Sequence, residues 1–106
     1  MRTALASAVV AIAAIQPSIA DEAGDAARGH EVARRWCAEC HAIRRGDGRS
    51  TTDAAPPFPA IAAMPSTTRA SLLVFLQTPH RQMPNFALSR TDMSDLSAFI
   101  LSLRGR

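Results

Sequence analysis

The segment Cys37-Ala38-Glu39-Cys40-His41 decides how this 106-residue chain is interpreted. It places two thiols and an imidazole within about one and a half turns of helix. Each thiol can add across one vinyl group of a porphyrin, and the adjacent imidazole can then bind the iron as an axial ligand. The segment therefore predicts a covalent haem site, with Cys37 and Cys40 as thioether residues and His41 as an iron ligand.

Other uses of two cysteines at this spacing fit less well. A thioredoxin-like dithiol needs a strand before it and a parallel sheet around it, and the sequence predicts neither. A structural zinc site needs two further ligands, and the spacing of His30 and His80 matches no zinc-finger pattern. A structural disulfide between Cys37 and Cys40 is the simplest alternative for an exported chain, but it leaves His41 without a role.

The N-terminus predicts export. Arg2 supplies a short positive region, residues 4–15 are apolar apart from one serine, and Pro17 ends this stretch before the small residues Ser18 and Ala20. The apolar stretch is shorter than the roughly 20 residues of a membrane span. This pattern is typical of a signal peptide, and an uncleaved anchor is the alternative.

We place signal-peptide cleavage after Ala20, which makes residues 1–20 the signal peptide and residues 21–106 a single monohaem domain in the periplasm. A domain this short buries a limited apolar core, and small domains are commonly stabilised by a covalent link or a cofactor. One covalently bound haem c meets that need.

Charge gives a weaker indication of partners. All twelve basic residues are arginines, against nine acidic residues. Five arginines flank the cysteine motif, and they are suited to an acidic protein partner or to the haem propionates, with a solvated surface as the simpler alternative. These five are Arg34, Arg35, Arg44, Arg45 and Arg49. No stacking aromatics are interleaved with them, so nucleic-acid binding has no support.

The periodicity of apolar residues predicts three main helices and no strand, hence an all-α fold. The first helix covers residues 26–36, and Gly29 inside it indicates close approach of another group, with Phe99 as the candidate. Residues 42–65, rich in proline and glycine, are expected to form an extended loop. A second helix, capped by Thr67 or Thr68 and ending near residue 78, is apolar on nearly every side and is expected to be buried.

The third helix is predicted to begin after the Ser89 cap. Its apolar residues recur at three- and four-residue steps and form one stripe. They are Met93, Leu96, Phe99, Ile100 and Leu103.

A second axial ligand is needed for a low-spin electron carrier, and the candidates are Met64, His80 and Met83. We favour Met83, because it lies in a loop between two helices and Pro84 beside it stiffens the backbone. A methionine opposite a histidine raises the reduction potential relative to two histidines. His30 is expected to face solvent on the first helix.

These features resemble the class I c-type cytochromes, specifically the small bacterial periplasmic members. The resemblance covers nearly all of residues 21–106. Its elements, in order, are Gly29, Cys37 to His41, Pro56-Pro57-Phe58, and Met83-Pro84 followed by Leu96 and Phe99.

The resemblance implies that the N- and C-terminal helices cross at Gly29, with Leu96 and Phe99 packed over it. It also implies that the carbonyl of Pro56, or alternatively of Pro57, accepts the Nδ1 proton of His41.

Two further positions follow from the same resemblance. Asn85 is similar in position to an amide that tunes the methionine sulfur. The family often has an aromatic residue four positions before the first cysteine. This chain has Ala33 there, and Trp36 is the neighbouring aromatic that could take its place.

The resemblance further implies a role that involves no substrate turnover, that of a diffusible, monomeric, periplasmic one-electron carrier that meets redox partner proteins. A haem c subunit of a dehydrogenase or oxidase complex, in peripheral contact with a membrane, is the nearest alternative. An open-site haem peroxidase or gas sensor would need acid and base groups above the iron, and His80 is the one candidate. A haem-free, disulfide-linked binding module is the remaining alternative.

Overall fold

The computed structural model describes residues 2–15 and 23–105. This part of the chain contains four helices, α1 (Ala26–Trp36), α2 (Phe58–Ala63), α3 (Arg69–Gln77) and α4 (Arg90–Ser102). It contains no strand, and the one β-type contact within it is an isolated bridge between His80 and Met83. The predicted all-α class is therefore confirmed.

The three predicted helices begin at capping side chains. The Asp25 carboxylate accepts a hydrogen bond from the backbone N–H of Arg28 and caps α1. Thr68 and Ser71 bond reciprocally at the start of α3, which forms a capping box. Ser89 accepts from the Asp92 N–H at the start of α4. Short polar side chains at these positions supply acceptors that the first turn of a helix lacks, so the starts of these helices follow from the local sequence.

Helix α2 contradicts the expectation of an extended loop over residues 42–65. Its N-cap is Pro57, and Pro59 lies in its first turn. The first turn of a helix needs no intrahelical N–H donor, so proline is compatible with that position and its fixed φ favours a helical start. The prolines therefore mark the beginning of a helix and do not exclude one.

The core of the fold is the packing of α1 against α4. A Cβ atom at Gly29 would collide with the backbone carbonyl of Asp95 and would lie 2.8 Å from Cβ of Phe99. Glycine is the one residue that permits this approach, because it has no Cβ. The predicted crossing of the two terminal helices at Gly29, with Phe99 against it, is present. Leu96, on the same stripe, is fully buried.

A buried carboxylate joins the same two helices. Asp95 is 3% exposed, and its Oδ1 accepts a 2.7 Å hydrogen bond from the backbone N–H of Asp25. Its Oδ2 lies 3.4 Å from Nε of Arg28. Asp95 thus accepts a hydrogen bond just before the first turn of α1 and pairs with a cation on that helix. This compensates the cost of burying its charge.

Helix α3 is less buried than its composition predicts. Leu72 is buried, whereas Val74 is 65% exposed and Phe75 is 44% exposed. Among the described helices α3 packs against α4, so one stripe of its surface is covered. The expectation that all sides of α3 are buried is wrong, because an apolar composition does not show how many neighbours a helix has.

The N-terminal residues 2–15 form neither helix nor strand, and their side chains are exposed. The expected cleavage point after Ala20 lies outside the described residues. In the described ranges, no helix has the length and apolar character needed to cross a membrane.

Candidate functional site

The cysteine motif forms the turn that follows α1. The Cys37 N–H donates to the carbonyl of Ala33 at 2.9 Å, which continues the helical pattern by one residue. The His41 N–H then donates to the carbonyl of Cys37 at 2.9 Å. Both cysteines are free thiols; Cys37 is buried and Cys40 is half-buried. The turn therefore brings two thiols and one imidazole together at the C-terminal end of α1.

The segment after the motif folds back and holds this turn in place. Ser50 Oγ accepts a 3.0 Å hydrogen bond from the Ala42 N–H. The Thr51 N–H donates to the carbonyl of Cys40 at 3.1 Å, and the Phe58 N–H donates to the carbonyl of Ala42 at 2.8 Å. Three backbone groups of the motif region are thus bonded to the connection between α1 and α2, so this connection positions the site.

The orientation of the His41 ring is set by Pro56. Nδ1 of His41 lies 2.7 Å from the carbonyl oxygen of Pro56. A carbonyl oxygen accepts hydrogen bonds and never donates them, so Nδ1 carries the proton and Nε2 presents its lone pair for a metal. The Phe58 ring packs against the imidazole with a centroid distance of 5.1 Å. The acceptor is Pro56, and the alternative, Pro57, is instead the N-cap of α2.

Burial changes the acidity of the first cysteine. Desolvation raises the pKa of the Cys37 thiol from 9.0 to about 11. Because burial disfavours the charged thiolate, this sulfur is neutral at physiological pH and behaves as a small apolar group in the core.

These residues fit a covalently bound haem. Two free thiols two residues apart can form two thioether bonds, and the adjacent imidazole has its Nε2 lone pair available because Nδ1 is bonded to Pro56. Cys37 would hold one vinyl position, Cys40 the other, and His41 would bind the iron. Bound haem supplies a one-electron couple between ferric and ferrous iron.

Met83, the candidate for the second axial position, is half-buried in the connection between α3 and α4. Its backbone forms a bridge to His80, and the His80 ring stacks on Phe75 with a centroid distance of 3.7 Å. Asn85, two residues farther on, is exposed. Met64 is 45% exposed at the end of α2.

Arg104 ties down the backbone around Met64. Its Nε donates to the carbonyl of Ala62 at 2.9 Å, and its Nη2 donates to the carbonyl of Thr67. A further contact joins Nη2 to the carbonyl of Met64 at 3.5 Å. The end of α2 is thereby held beside the end of α4, and no local sequence pattern indicates this role of Arg104.

His30 was expected to face solvent, and the structure corrects this. Its side chain is 17% exposed, and its ring packs on Phe99 with a centroid distance of 5.1 Å. Nη2 of Arg44 lies 3.1 Å from Nδ1 of the same ring. His30 reaches Phe99 because it lies next to Gly29, where the two helices cross. Its polar neighbours in the sequence led to the expectation of a solvent-facing residue.

Trp36 does not take the place of the aromatic that is missing at Ala33. Ala33 is fully buried, whereas Trp36 is 42% exposed. The indole packs on Phe86 with a centroid distance of 5.1 Å, outside the crossing of α1 and α4. The aromatic side chain of α1 that contacts Phe99 is that of His30.

Among the described residues, three of the five arginines around the motif have side-chain partners. Arg34 donates to Glu31 at 2.7 Å, Arg49 lies 4.0 Å from Asp53, and Arg44 contacts His30. The Arg34 and Arg49 contacts are between exposed side chains, so they leave the cations accessible to solvent.

Comparison with known proteins identifies the family. The family model described as cytochrome c oxidase, cbb3-type, subunit III matches residues 24–100. Cytochrome c-552 of Bradyrhizobium diazoefficiens is 43% identical over 82 residues, which cover 77% of this chain and 78% of that protein. No solved structure matches. The chain therefore belongs to this family of cytochrome c domains, and it is a class I c-type cytochrome, an electron-transfer protein with covalently bound haem c.

Proposed function

We propose that this chain is a periplasmic one-electron carrier in which His41 and Met83 are the axial ligands of a single haem c. Cys37 and Cys40 would form the thioether bonds. In this role both axial ligands stay bound in the two oxidation states. The chain then has only to hold the group, limit its exposure to water and present a surface to donor and acceptor proteins.

The 2.7 Å contact between His41 Nδ1 and the Pro56 carbonyl is the observation that carries this proposal. It fixes the tautomer that leaves Nε2 free, and such a bond strengthens the imidazole as an electron donor to a metal. A histidine with a purely structural role would have no need for a free Nε2 beside two free thiols.

The choice of Met83 as second ligand is supported by the surroundings of its competitors. Met64 lies where Arg104 bonds the backbone at the end of α2, which leaves that segment little freedom to reach across a haem. The His80 ring is occupied by its stack on Phe75. Met83 is half-buried, and within the described residues no hydrogen bond or ring contact occupies its side chain.

The chain contains two Met-Pro dipeptides, at Met64 and at Met83, and substitution of each methionine tests the assignment. We expect Met83→Ala to lower the reduction potential by on the order of 0.1 V or more, since axial ligands span about 0.8 V. The weak far-red absorption band of a methionine sulfur on ferric haem iron should disappear, while haem stays attached through denaturing electrophoresis. Potentiometry and absorption spectra of the purified holoprotein measure both effects.

Met64→Ala is the control, because Met64 is also followed by a proline and is 45% exposed. It should leave the potential and the far-red band unchanged. A potential that is unchanged in Met83→Ala but lowered in Met64→Ala would overturn the assignment. Rapid carbon monoxide binding by the unaltered ferrous protein would instead favour an open-site sensor or peroxidase.

Asn85 has a smaller role in the proposal, as an amide that tunes the methionine sulfur. Its exposure leaves the side chain free to turn toward the ligand. Asn85→Ala should therefore shift the potential by less than Met83→Ala and keep the far-red band. An identical potential in Asn85→Ala and the parent would remove Asn85 from the site.

Export through the N-terminal signal peptide, with cleavage after Ala20, places the proposed carrier in the periplasm. The family description names an oxidase subunit, so a protein docked to a membrane complex is the alternative to a free carrier. Cell fractionation with a haem stain separates the two: a free carrier leaves with the periplasmic fraction, whereas a tightly docked subunit sediments with membranes. Mass spectrometry should give the mass of residues 21–106 plus one haem.

A further inference from the structure

Residues 79–88, here called the methionine loop, carry Met83, and the role inferred below for two aromatic residues rests on the proposed function. Hydrogen bonds of this loop stay inside it: a bridge joins His80 to Met83, and the Leu88 N–H donates to the carbonyl of Phe86 at 2.9 Å. Within the described residues, no hydrogen bond or ion pair connects the loop to another element. Side-chain packing must therefore hold Met83 in place.

Two aromatic contacts lie on either side of Met83. The His80 ring stacks on Phe75, which is close in sequence, at the end of α3. The Phe86 ring packs on Trp36, which is distant in sequence, with a centroid distance of 5.1 Å and an interplanar angle of 42°. The second contact is the one that joins the loop to α1 and hence to the cysteine motif.

Trp36 is well placed to act as an anchor. It is the last residue of α1, and the next residue, Cys37, is buried and bonded to the carbonyl of Ala33. The indole thus starts from a backbone that the α1–α4 pair holds firmly. Phe86 follows Met83 by three residues, so a restraint on its ring also restrains the methionine backbone.

The backbone beside Met83 shows why a restraint is needed. Gln82 has a φ of 63°, in the left-handed region that residues with a Cβ rarely occupy. Such a conformation persists where surrounding contacts hold it. Three side-chain contacts of the loop can hold it. Phe86 packs on Trp36, and His80 stacks on Phe75. The half-buried Leu88 packs against the core.

We propose that Trp36 and Phe86 are positioning residues that hold the methionine loop, and with it Met83, against the haem motif. Aromatic pairs of this geometry shift an equilibrium by about 2- to 10-fold beyond their burial. The two rings are 42% and 37% exposed, so removing either one opens no enclosed cavity and the variants should fold.

Displacement of Met83 by added imidazole tests this proposal in the ferric holoprotein. We expect Trp36→Ala and Phe86→Ala each to raise the apparent imidazole affinity about 2- to 10-fold. The double variant should show no more than the larger single effect, because either change removes the same contact. Trp36→Phe, which retains a ring, should stay close to the parent protein.

Val74→Ala is the matched control, because Val74 is also a large exposed apolar residue but lies outside the pair. It should leave imidazole affinity unchanged. The proposal is overturned if Trp36→Ala and Phe86→Ala behave like Val74→Ala, or if their effects simply add in the double variant.

Limited trypsin digestion keeps this test separate from the identity of the iron ligand. Cleavage after Arg81 requires the methionine loop to open, and cleavage after the exposed Arg49 provides an internal reference. The ratio of Arg81 to Arg49 cleavage should rise about 2- to 10-fold in Trp36→Ala and Phe86→Ala. An unchanged ratio would overturn the proposal even if Met83 is the ligand. If the parent protein lacks the far-red band, the proposal that Met83 binds the iron is wrong. The cleavage ratio then still shows whether Trp36 and Phe86 hold the loop.

Discussion

The α1–α4 pair and the methionine loop are fixed by different kinds of interaction. The helix pair combines backbone contact at Gly29, a buried carboxylate at Asp95 and a row of apolar side chains. The loop that carries Met83 has hydrogen bonds within itself and partly exposed aromatic contacts to its surroundings. The difference indicates that the proposed thioether residues directly follow the most strongly restrained part of the fold, whereas the proposed sulfur ligand lies in one of the least restrained parts.

Gly29→Ala should have the largest effect on the helix pair. The added methyl group would collide with the Asp95 carbonyl, so α1 and α4 must move apart. We expect the free energy of unfolding of the holoprotein to fall by about 3 kcal/mol in denaturant titrations.

Gly48→Ala is the control for this substitution, because its Cβ would meet no atom and its φ is 81°. The left-handed backbone alone should cost about 1–2 kcal/mol. If both substitutions lower the free energy of unfolding equally, α1 and α4 can separate to accommodate the added methyl group at little cost.

Asp95→Ala tests the polar part of the same interface. It leaves the Asp25 N–H without its acceptor and removes one of the two carboxylates that pair with Arg28, and we expect a loss of about 2–3 kcal/mol in unfolding free energy. Asp53→Ala, which breaks a fully exposed ion pair with Arg49, should cost less than about 0.5 kcal/mol. Thermal and denaturant unfolding can be compared for both variants. A loss as small as that of Asp53→Ala would show that Asp95 is not essential to the pair.

Gln82→Gly should act in the opposite direction, because it relieves backbone strain in the methionine loop. The left-handed φ costs a residue with a Cβ about 1–2 kcal/mol, and the extra entropy of unfolded glycine offsets about half of this. We expect a net stabilisation of about 0.5 kcal/mol.

Gln77→Gly at the end of α3 is the comparison, and it should destabilise by up to about 1 kcal/mol. Denaturation curves of the two variants should therefore move in opposite directions. A loss of stability in Gln82→Gly would mean that the glutamine side chain makes a contribution larger than its backbone strain.

The smallest expected effect is the response of the helix pair to acid. The hydrogen bond from the Arg28 N–H holds the pKa of Asp25 below its ordinary value of 3.8, with a further contribution from the Arg28 charge. A lowered folded-state pKa gives stability that is present above pH 3.8 and is lost as the pH falls through the folded-state pKa. Asp25→Asn retains a capping side chain but cannot titrate, so its stability should fall less steeply below pH 4. Parallel unfolding curves at pH 3 and pH 7 measure this, and identical pH profiles would contradict it.

The sequence was sufficient to predict elements whose causes are local. Thr68 and Ser89 provide the acceptors that were predicted at two helix starts, and a glycine inside a helix indicates close contact. The bond between His41 and Pro56 was expected from the family resemblance alone. The two residues are separated by a long connection, and spacing along such a connection does not locate a carbonyl group.

Elements that depend on distant partners were predicted less well. Pro57 and Pro59 are as compatible with a loop as with the first turn of α2, and the surrounding packing decides between the two. The exposure of Val74 depends on how many elements cover α3, which its composition cannot show. The contacts of His30 and of Trp36 each join distant parts of the chain, so no local pattern indicated them.

The burial of Cys37 bears on the order in which the molecule is assembled. An unpacked cysteine ionises near pH 9.0, whereas packing raises the pKa of this thiol to about 11 and also restricts access to the sulfur. Cys37 belongs to a core cluster that also contains Leu96 and Phe99 of α4, the last of the described helices. The proposed thioether bond at Cys37 would therefore form more readily before α4 packs against α1, and that packing would then shield the bond from solvent.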